Sequence, residues 1–223
     1  MRFLCLHGMG VSSEIFKMQT AALRNELAGD HSYEFVQGHI ECTMAPELEH
    51  ISDVTKPHFA YHNNSPQSAI DALKDLDAYL TSESAFDGIL AFSQGAGLAL
   101  MYSRYFMNLR PGRPLPFRCL LLFSPVGLLD PVTWIETGKL RLLVDTASPL
   151  NIPIAVITGK HDLPQAISQT EDIHRMVQSD MGCWKYVHLG GHDIPNGKAK
   201  NDMRGTVRAL RRAIAQADMM KRS

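Results

Sequence analysis

The sequence predicts an α/β sandwich, a mostly parallel sheet flanked by helices, and three observations predict it. Six short apolar runs recur along the chain, several of them continuous rather than alternating, as in strands covered on both faces. Stretches of helical period separate them. One run, residues 88–92, passes through a serine-tipped turn directly into a stretch rich in small residues, which reads as strand, sharp turn and helix.

The elements follow in order. Residues 3–6 form the first strand, and the glycine-rich turn Gly8-Met9-Gly10 follows it. Ile15, Met18, Ala22 and Leu23 recur near a helical period, so residues 13–27 read as a helix. Residues 33–36 form the second strand. Ser65-Pro66 is a cap and first-turn pair, and Ile70, Leu73, Leu76 and Leu80 make one stripe, so 65–80 is helical. Further strands are predicted at 88–92, 118–123, 153–158 and 184–189, and further helices at 165–178 and 201–220. The turn-rich stretch 110–116 reads as a loop. Segments 37–64 and 124–151 fit the alternation poorly. Long irregular insertions of this kind are lids or pocket walls, or plain surface loops. The whole chain, 1–223, reads as one domain.

Composition narrows the function classes. The chain has 223 residues, enough for a full hydrophobic core. With 22 basic and 23 acidic residues its net charge is −1, so no global field draws in nucleic acid or an acidic membrane. Cys5, Cys42, Cys119 and Cys183 are far apart and show no C-x-x-C spacing, which gives no disulfide or metal framework. No cofactor is expected. No run approaches the length of a membrane span, and the N-terminal apolar run is too brief for a secretory signal core. A cytoplasmic protein is the expectation.

The chemistry begins at Ser93. In Ala91-Phe92-Ser93-Gln94-Gly95 a serine lies between two small residues, the G-x-S-x-G pattern of a nucleophile elbow with one substitution. A serine hydroxyl needs a base to take its proton, and the base needs a carboxylate to hold its tautomer. In sheets that carry such an elbow the acid and the histidine follow later in the chain, in that order, on loops after strands. Asp162 follows the strand at 153–158 and His192 follows the strand at 184–189, in the required order. His161, His188 and Asp193 are neighbours in weaker positions, and Asp130 and Asp145 are alternatives after an earlier strand. The paired His161-Asp162 and His192-Asp193 lack metal-ligand spacing and a third ligand, so no metal is expected. The oxyanion needs two preorganised N–H donors, each worth about 2.7–4 kcal/mol of barrier when removed. The backbone N–H groups of Gln94 and Met9 are the candidates. Gly8-Met9-Gly10 also begins like a dinucleotide loop. Position 13 is serine, however, and the second strand ends Val36-Gln37 without a ribose-binding acid, which removes that reading.

Through these blocks the chain resembles the FSH family of serine hydrolases, within the α/β-hydrolase superfamily. The resemblance runs from Leu6-His7-Gly8-Met9-Gly10 through Phe92-Ser93-Gln94-Gly95-Ala96 to Gly159-Lys160-His161-Asp162 and Gly190-Gly191-His192-Asp193-Ile194-Pro195. It implies a compact α/β hydrolase with Ser93, Asp162 and His192 as its triad, acting on esters or thioesters. Some family members release polyketide chains from carrier proteins in fungal secondary metabolism. Ala91 departs from the usual first glycine, and Gln37-Gly38-His39-Ile40-Glu41-Cys42 lacks the proline often found after the second strand.

For the substrate, the apolar residues of 124–129 and 134–143, with Met9, Phe16 and Phe59, are candidates for an acyl tunnel; Phe16, Val126 and Trp134 are the named pocket residues. The last helix interleaves Lys198, Lys200, Arg204, Arg208, Arg211 and Arg212 with Val207, Leu210 and Ile214. That basic face either docks an acidic acyl carrier protein or is simply solvated. The leading expectation is hydrolysis of an acyl thioester or ester through an acyl-enzyme. A non-catalytic binder on the same fold, and a triad-dependent cyclase or acyltransferase, are the alternatives.

Overall fold

The computed structural model describes residues 1–48, 56–139, 141–143, 149–178, 180–196 and 199–220. In chain order the strands are Arg2–Leu6 (β1), Ser32–Val36 (β2), Ile40–Cys42 (β3), His58–Ala60 (β4), Gly88–Phe92 (β5), Leu120–Phe123 (β6), Ile154–Gly159 (β7) and Cys183–His188 (β8). The helices are Ser13–Gln19 (α1), Ala21–Leu27 (α2), Pro66–Ser82 (α3), Gln94–Leu109 (α4), Pro131–Thr137 (α5), Pro164–Met176 (α6) and Lys200–Met220 (α7).

Six strands form one parallel sheet in the order β2-β1-β5-β6-β7-β8. Strand side chains alternate between faces, and here both faces are covered. Leu4, Leu6, Ile89, Leu122 and Val156 pack with α3, α4 and α6, while Phe3, Cys5, Leu90, Phe123 and Ile157 pack with α1, α2 and α7. This double burial is why the runs are continuously apolar. The chain moves outward from β1 to β2, then returns through α3 to lay β5 on the other side of β1. The carboxyl ends of β1 and β5 therefore flank a topological switch point, where open α/β sheets place their ligand crevice.

The structure differs from the sequence expectation in three places. Residues 13–27 form two helices rather than one. Thr20 separates them, its hydroxyl donating back to the Phe16 carbonyl at 2.8 Å, a local bond that competes with regular helix. Segment 37–64 contains the antiparallel pair β3–β4 and a 3-10 turn at Pro46–Leu48. Strands of three residues are too short to show a period. Segment 124–151 contains α5, capped by the Asp130 carboxylate on the N–H groups of Val132 and Thr133 and closed by left-handed Gly138.

The first turn of α4 crosses the end of β1 so closely that only glycine fits at position 95. A Cβ there would lie 2.5 Å from the Leu6 carbonyl oxygen and 2.6 Å from that of His7. We therefore expect Gly95→Ala to lower stability by about 1–3 kcal/mol, the usual cost of overpacking. Urea unfolding measures it, and an unchanged midpoint would show that α4 can retreat from β1.

Candidate active site

Ser93 joins β5 to α4 with φ 52° and ψ −117°, a left-handed backbone that side-chain-bearing residues rarely adopt. Its N–H donates to the Phe123 carbonyl (2.9 Å), and its carbonyl accepts from Gly97 N–H (3.1 Å). The turn is thus tied both to the neighbouring strand and to the new helix. Ala91 is fully buried within β5, so the elbow accommodates a methyl group where the motif has glycine.

Two other loops converge on this serine. His192, on the loop after β8, places Nε2 2.9 Å from Ser93 Oγ and Nδ1 2.6 Å from Asp162 Oδ1. With Nδ1–H donating to the carboxylate, Nε2 presents its lone pair to the hydroxyl. Asp162 begins the turn after β7. Burial alone would push its carboxyl upward in pKa. Hydrogen bonds from His192, Ser124 Oγ (2.5 Å) and Gly159 N–H (3.1 Å) outweigh that and hold it below its usual range. A further N–H, from Leu163, donates to Oδ1 at 2.7 Å. The two loops are also joined to each other. Lys160 N–H donates to the His188 carbonyl (2.7 Å) and His161 N–H to that of Gly190 (2.9 Å). The His192 ring lies against Phe92, with centroids 4.9 Å apart.

Gln94 follows Ser93 directly, and the turn that carries Met9 packs beside the serine through Gly8. A Cβ on Gly8 would come within 3.1 Å of Ser93 Cβ, so the turn after β1 lies against Ser93. Among the described residues neither Met9 N–H nor Gln94 N–H has a hydrogen-bond acceptor, which leaves both able to meet an incoming oxygen. His7 shapes this turn from beneath. Its ring is fully buried and bonds Gly8 O (2.7 Å) and Gly38 N–H (2.9 Å), while Tyr61 Oη accepts from His7 N–H (3.0 Å). The Gln94 side chain is engaged elsewhere. Its Oε1 accepts from Tyr61 N–H (2.9 Å) and its Nε2 donates to the His62 carbonyl (2.8 Å).

A cavity of about 930 Å³ opens beside Ser93 and His192. Val126 and Trp134 line it, as does half-exposed Met9, and both poorly alternating segments contribute wall: Met44, Pro46 and His62 from one, Val126, Gly127 and Trp134 from the other. Phe16 does not. It is fully buried in the core, edge-on to Phe35 at 5.8 Å, because α1 turns that face toward the sheet. Phe59 also lies away from the cavity wall. Among the described residues the charged lining groups are Glu47 and Asp193, with no lysine or arginine.

The remaining candidates separate cleanly. His161 and Asp193 are exposed, His188 is buried with Nδ1 accepting from Gly190 N–H, and Asp130 caps α5. Asp145 and Lys198 lie outside the described residues. On α7, Arg211 donates to the Glu26 and Leu27 carbonyls at the end of α2, while Arg204, Arg208 and Arg212 are exposed. No metal-binding cluster occurs among the described residues, and no helix there is long and apolar enough to cross a membrane. Sequence reasoning missed Ser124, His7 and the Gln94 side chain. Ser124 alone left a signal, since it follows β6 directly at the sheet end where the other two loops emerge.

A parallel sheet with a serine elbow, a histidine and a buried aspartate at its carboxyl edge defines a serine hydrolase of the α/β-hydrolase fold. The model of the family described as serine hydrolase (FSH1) matches residues 1–203, and the chain belongs to that family. It is 34% identical to esterase FPY3 of Fusarium mangiferae, over 97% of this chain and 98% of the relative. Hydrolase FUB4 of Fusarium oxysporum f. sp. lycopersici is 33% identical, over 81% of this chain and 66% of its own length. Among solved structures, the carboxylesterase from Mesorhizobium loti superposes with a TM-score of 0.58 at 18% identity, covering 94% of this chain and 88% of that one, which establishes a common fold.

The polar groups around the site set its response to pH and to substitution. Burial lowers the His7 and His62 rings to a pKa of about 4. The unfolded chain takes up those protons near pH 6.5, so stability is complete above that pH and is lost as pH falls toward 4. Each ring should remove about 2 kcal/mol between pH 8 and pH 5, measured by urea unfolding, and His62→Gln should remove one of the two increments. Ser124→Ala takes one charge-assisted bond from Asp162, at about 1.5–3 kcal/mol. We expect kcat to fall at least tenfold with KM nearly constant, because Ser124 bonds Asp162 and is not among the residues that line the cavity.

Proposed function

We propose that the protein hydrolyses a neutral carboxylic ester or thioester with a bulky, mostly apolar acyl group, through an acyl-enzyme on Ser93. The observation that carries this is the continuous hydrogen-bonded line Ser93 Oγ–His192–Asp162 at the wall of a large cavity without a cationic lining group among the described residues. An anionic acyl group or a phosphoester would lack a counter-charge there. The esterase and hydrolase names of the fungal relatives support the same chemistry.

In this mechanism Ser93 Oγ attacks the carbonyl carbon as His192 Nε2 takes its proton, and Asp162 stabilises the resulting imidazolium. The carbonyl oxygen becomes an oxyanion held by the N–H groups of Met9 and Gln94. Collapse expels the alcohol or thiol, which receives the proton from His192. Water then attacks the acyl-serine with His192 again as base, releasing the acid and restoring the hydroxyl. Release of a polyketide or other acyl chain from a carrier-protein thioester is the form of this reaction in which the leaving thiol belongs to a protein partner.

Intact mass after exposure to a fluorophosphonate tests it. A single adduct mapped to Ser93 and absent from Ser93→Ala is expected, with kcat/KM for nitrophenyl esters at least about a thousandfold lower in the variant. Rates should rise with acyl length as the cavity fills. A folded parent that takes no adduct, or an alanine variant that keeps its turnover, overturns the mechanism.

A further inference from the structure

His62 is a polar group in the wall of a mostly apolar cavity, and the proposed chemistry gives it no role. His62 is only 5% exposed, yet it lines the space beside Ser93 and Gln94. The turn that carries it is tightly bonded. Asn64 holds a left-handed backbone (φ 65°), and its N–H donates to His62 Nδ1 at 3.2 Å. Ser65 N–H donates to Asn63 Oδ1 (3.1 Å) and Asn63 N–H to Ser68 Oγ (3.2 Å), so the first turn of α3 anchors the same loop. Because Nδ1 accepts an N–H bond, its lone pair is engaged and the ring is the neutral Nε2–H tautomer. Among the described residues Nε2 has no partner, and it is not sealed from solvent. His62 lines the cavity, so this unpartnered donor belongs to a residue of its wall.

The backbone of His62 is also held to the nucleophile. Gln94 follows Ser93, and its side-chain amide clamps the N–H of Tyr61 and the carbonyl of His62. The backbone of His62 is consequently placed relative to Ser93 by covalent geometry and two hydrogen bonds.

We infer that His62 is a specificity-determining residue that donates from Nε2–H to an oxygen carried on the acyl chain, so that the site takes oxygenated acyl groups in preference to plain alkyl ones. The inference rests on the serine-esterase reading. Its physical basis is asymmetric. A buried donor that meets an acceptor gains one hydrogen bond, whereas a donor faced with a methylene group is left unsatisfied, and sites built for a polar group reject analogues lacking it. The chain oxygen is a ketone, ether or hydroxyl, all neutral acceptors, in keeping with a cavity wall that has no cation among the described residues.

The test compares nitrophenyl hexanoate with its 3-oxo, 4-oxo and 5-oxo counterparts on the parent, His62→Leu and His62→Gln. We expect the parent to prefer at least one oxo ester over the alkyl ester by about tenfold or more in kcat/KM. In His62→Leu that ratio should fall to about one or invert, and in His62→Gln, which keeps a donor, it should be partly restored. A parent with no preference for any oxo ester overturns the inference, as does a preference that His62→Leu leaves intact. Fluorophosphonate labelling of the same samples keeps the two failures apart. A parent without an adduct at Ser93 refutes the esterase reading itself, while labelled proteins with unaltered ratios refute the role of His62 alone. Should His62→Leu not fold, the ratio in His62→Gln against His62→Asn, whose shorter amide falls away from the cavity, decides: equal ratios overturn the inference and a larger ratio in His62→Gln supports it.

Discussion

The backbone at Ser93 is the constraint around which the rest of the molecule is arranged. A left-handed conformation costs a residue with a side chain of order 1–3 kcal/mol, and it persists only where the surroundings over-determine it. Here they do so from three sides. The Ser93 N–H is held by β6, its carbonyl is held by the first turn of α4, and Gly95 lets that turn lie against the end of β1. The order β2-β1-β5-β6 supplies both neighbours at once. Strain at one residue is thereby borne by three strands and a helix, and the hydroxyl is lifted clear of the sheet.

A second tier fixes the partners of that hydroxyl. Asp162 accepts from His192, Ser124, Gly159 and Leu163, so all of its acceptor capacity is directed and the histidine has one orientation open to it. Ser124 shares the left-handed backbone of Ser93 (φ 47°) and occupies the corresponding position after the next strand. Successive strands of the parallel sheet thus end in serines with different roles, one facing the cavity and one turned down onto the carboxylate. Position in the sheet does not distinguish them; the partner that each oxygen meets does.

Much of this was legible in the sequence. The sheet was, because strands buried on both faces must be continuously apolar, and the positions of Ser93, Asp162 and His192 were, because the serine lies between small residues after one strand and the acid and histidine follow later strands in the order such an elbow requires. What escaped has physical reasons. β3 and β4 have three residues each, too few for a period. Thr20 interrupts an otherwise good helical pattern by a single local hydrogen bond. Phe16 belongs to an amphipathic helix whose apolar face serves the core, and no sequence pattern distinguishes a core phenylalanine from a cavity one. Ser124, His7 and the Gln94 amide act through partners 31 to 38 residues away, and such contacts exist only once the fold has formed.

The Gln94 side chain has a consequence for how this enzyme can change. One residue follows Ser93 directly and uses its amide to hold the segment that forms part of the cavity wall. The cavity wall and the serine turn are therefore joined through the backbone. Side-chain changes at positions 61–62 leave both bonds in place, whereas a shift of that backbone reaches the first residue of α4. Trp134, on α5, lines the same cavity with no bond to Gln94 among the described residues, whereas Val126 has its carbonyl packed against Gly97 in the first turn of α4, so a changed acyl group meets a freer wall at Trp134.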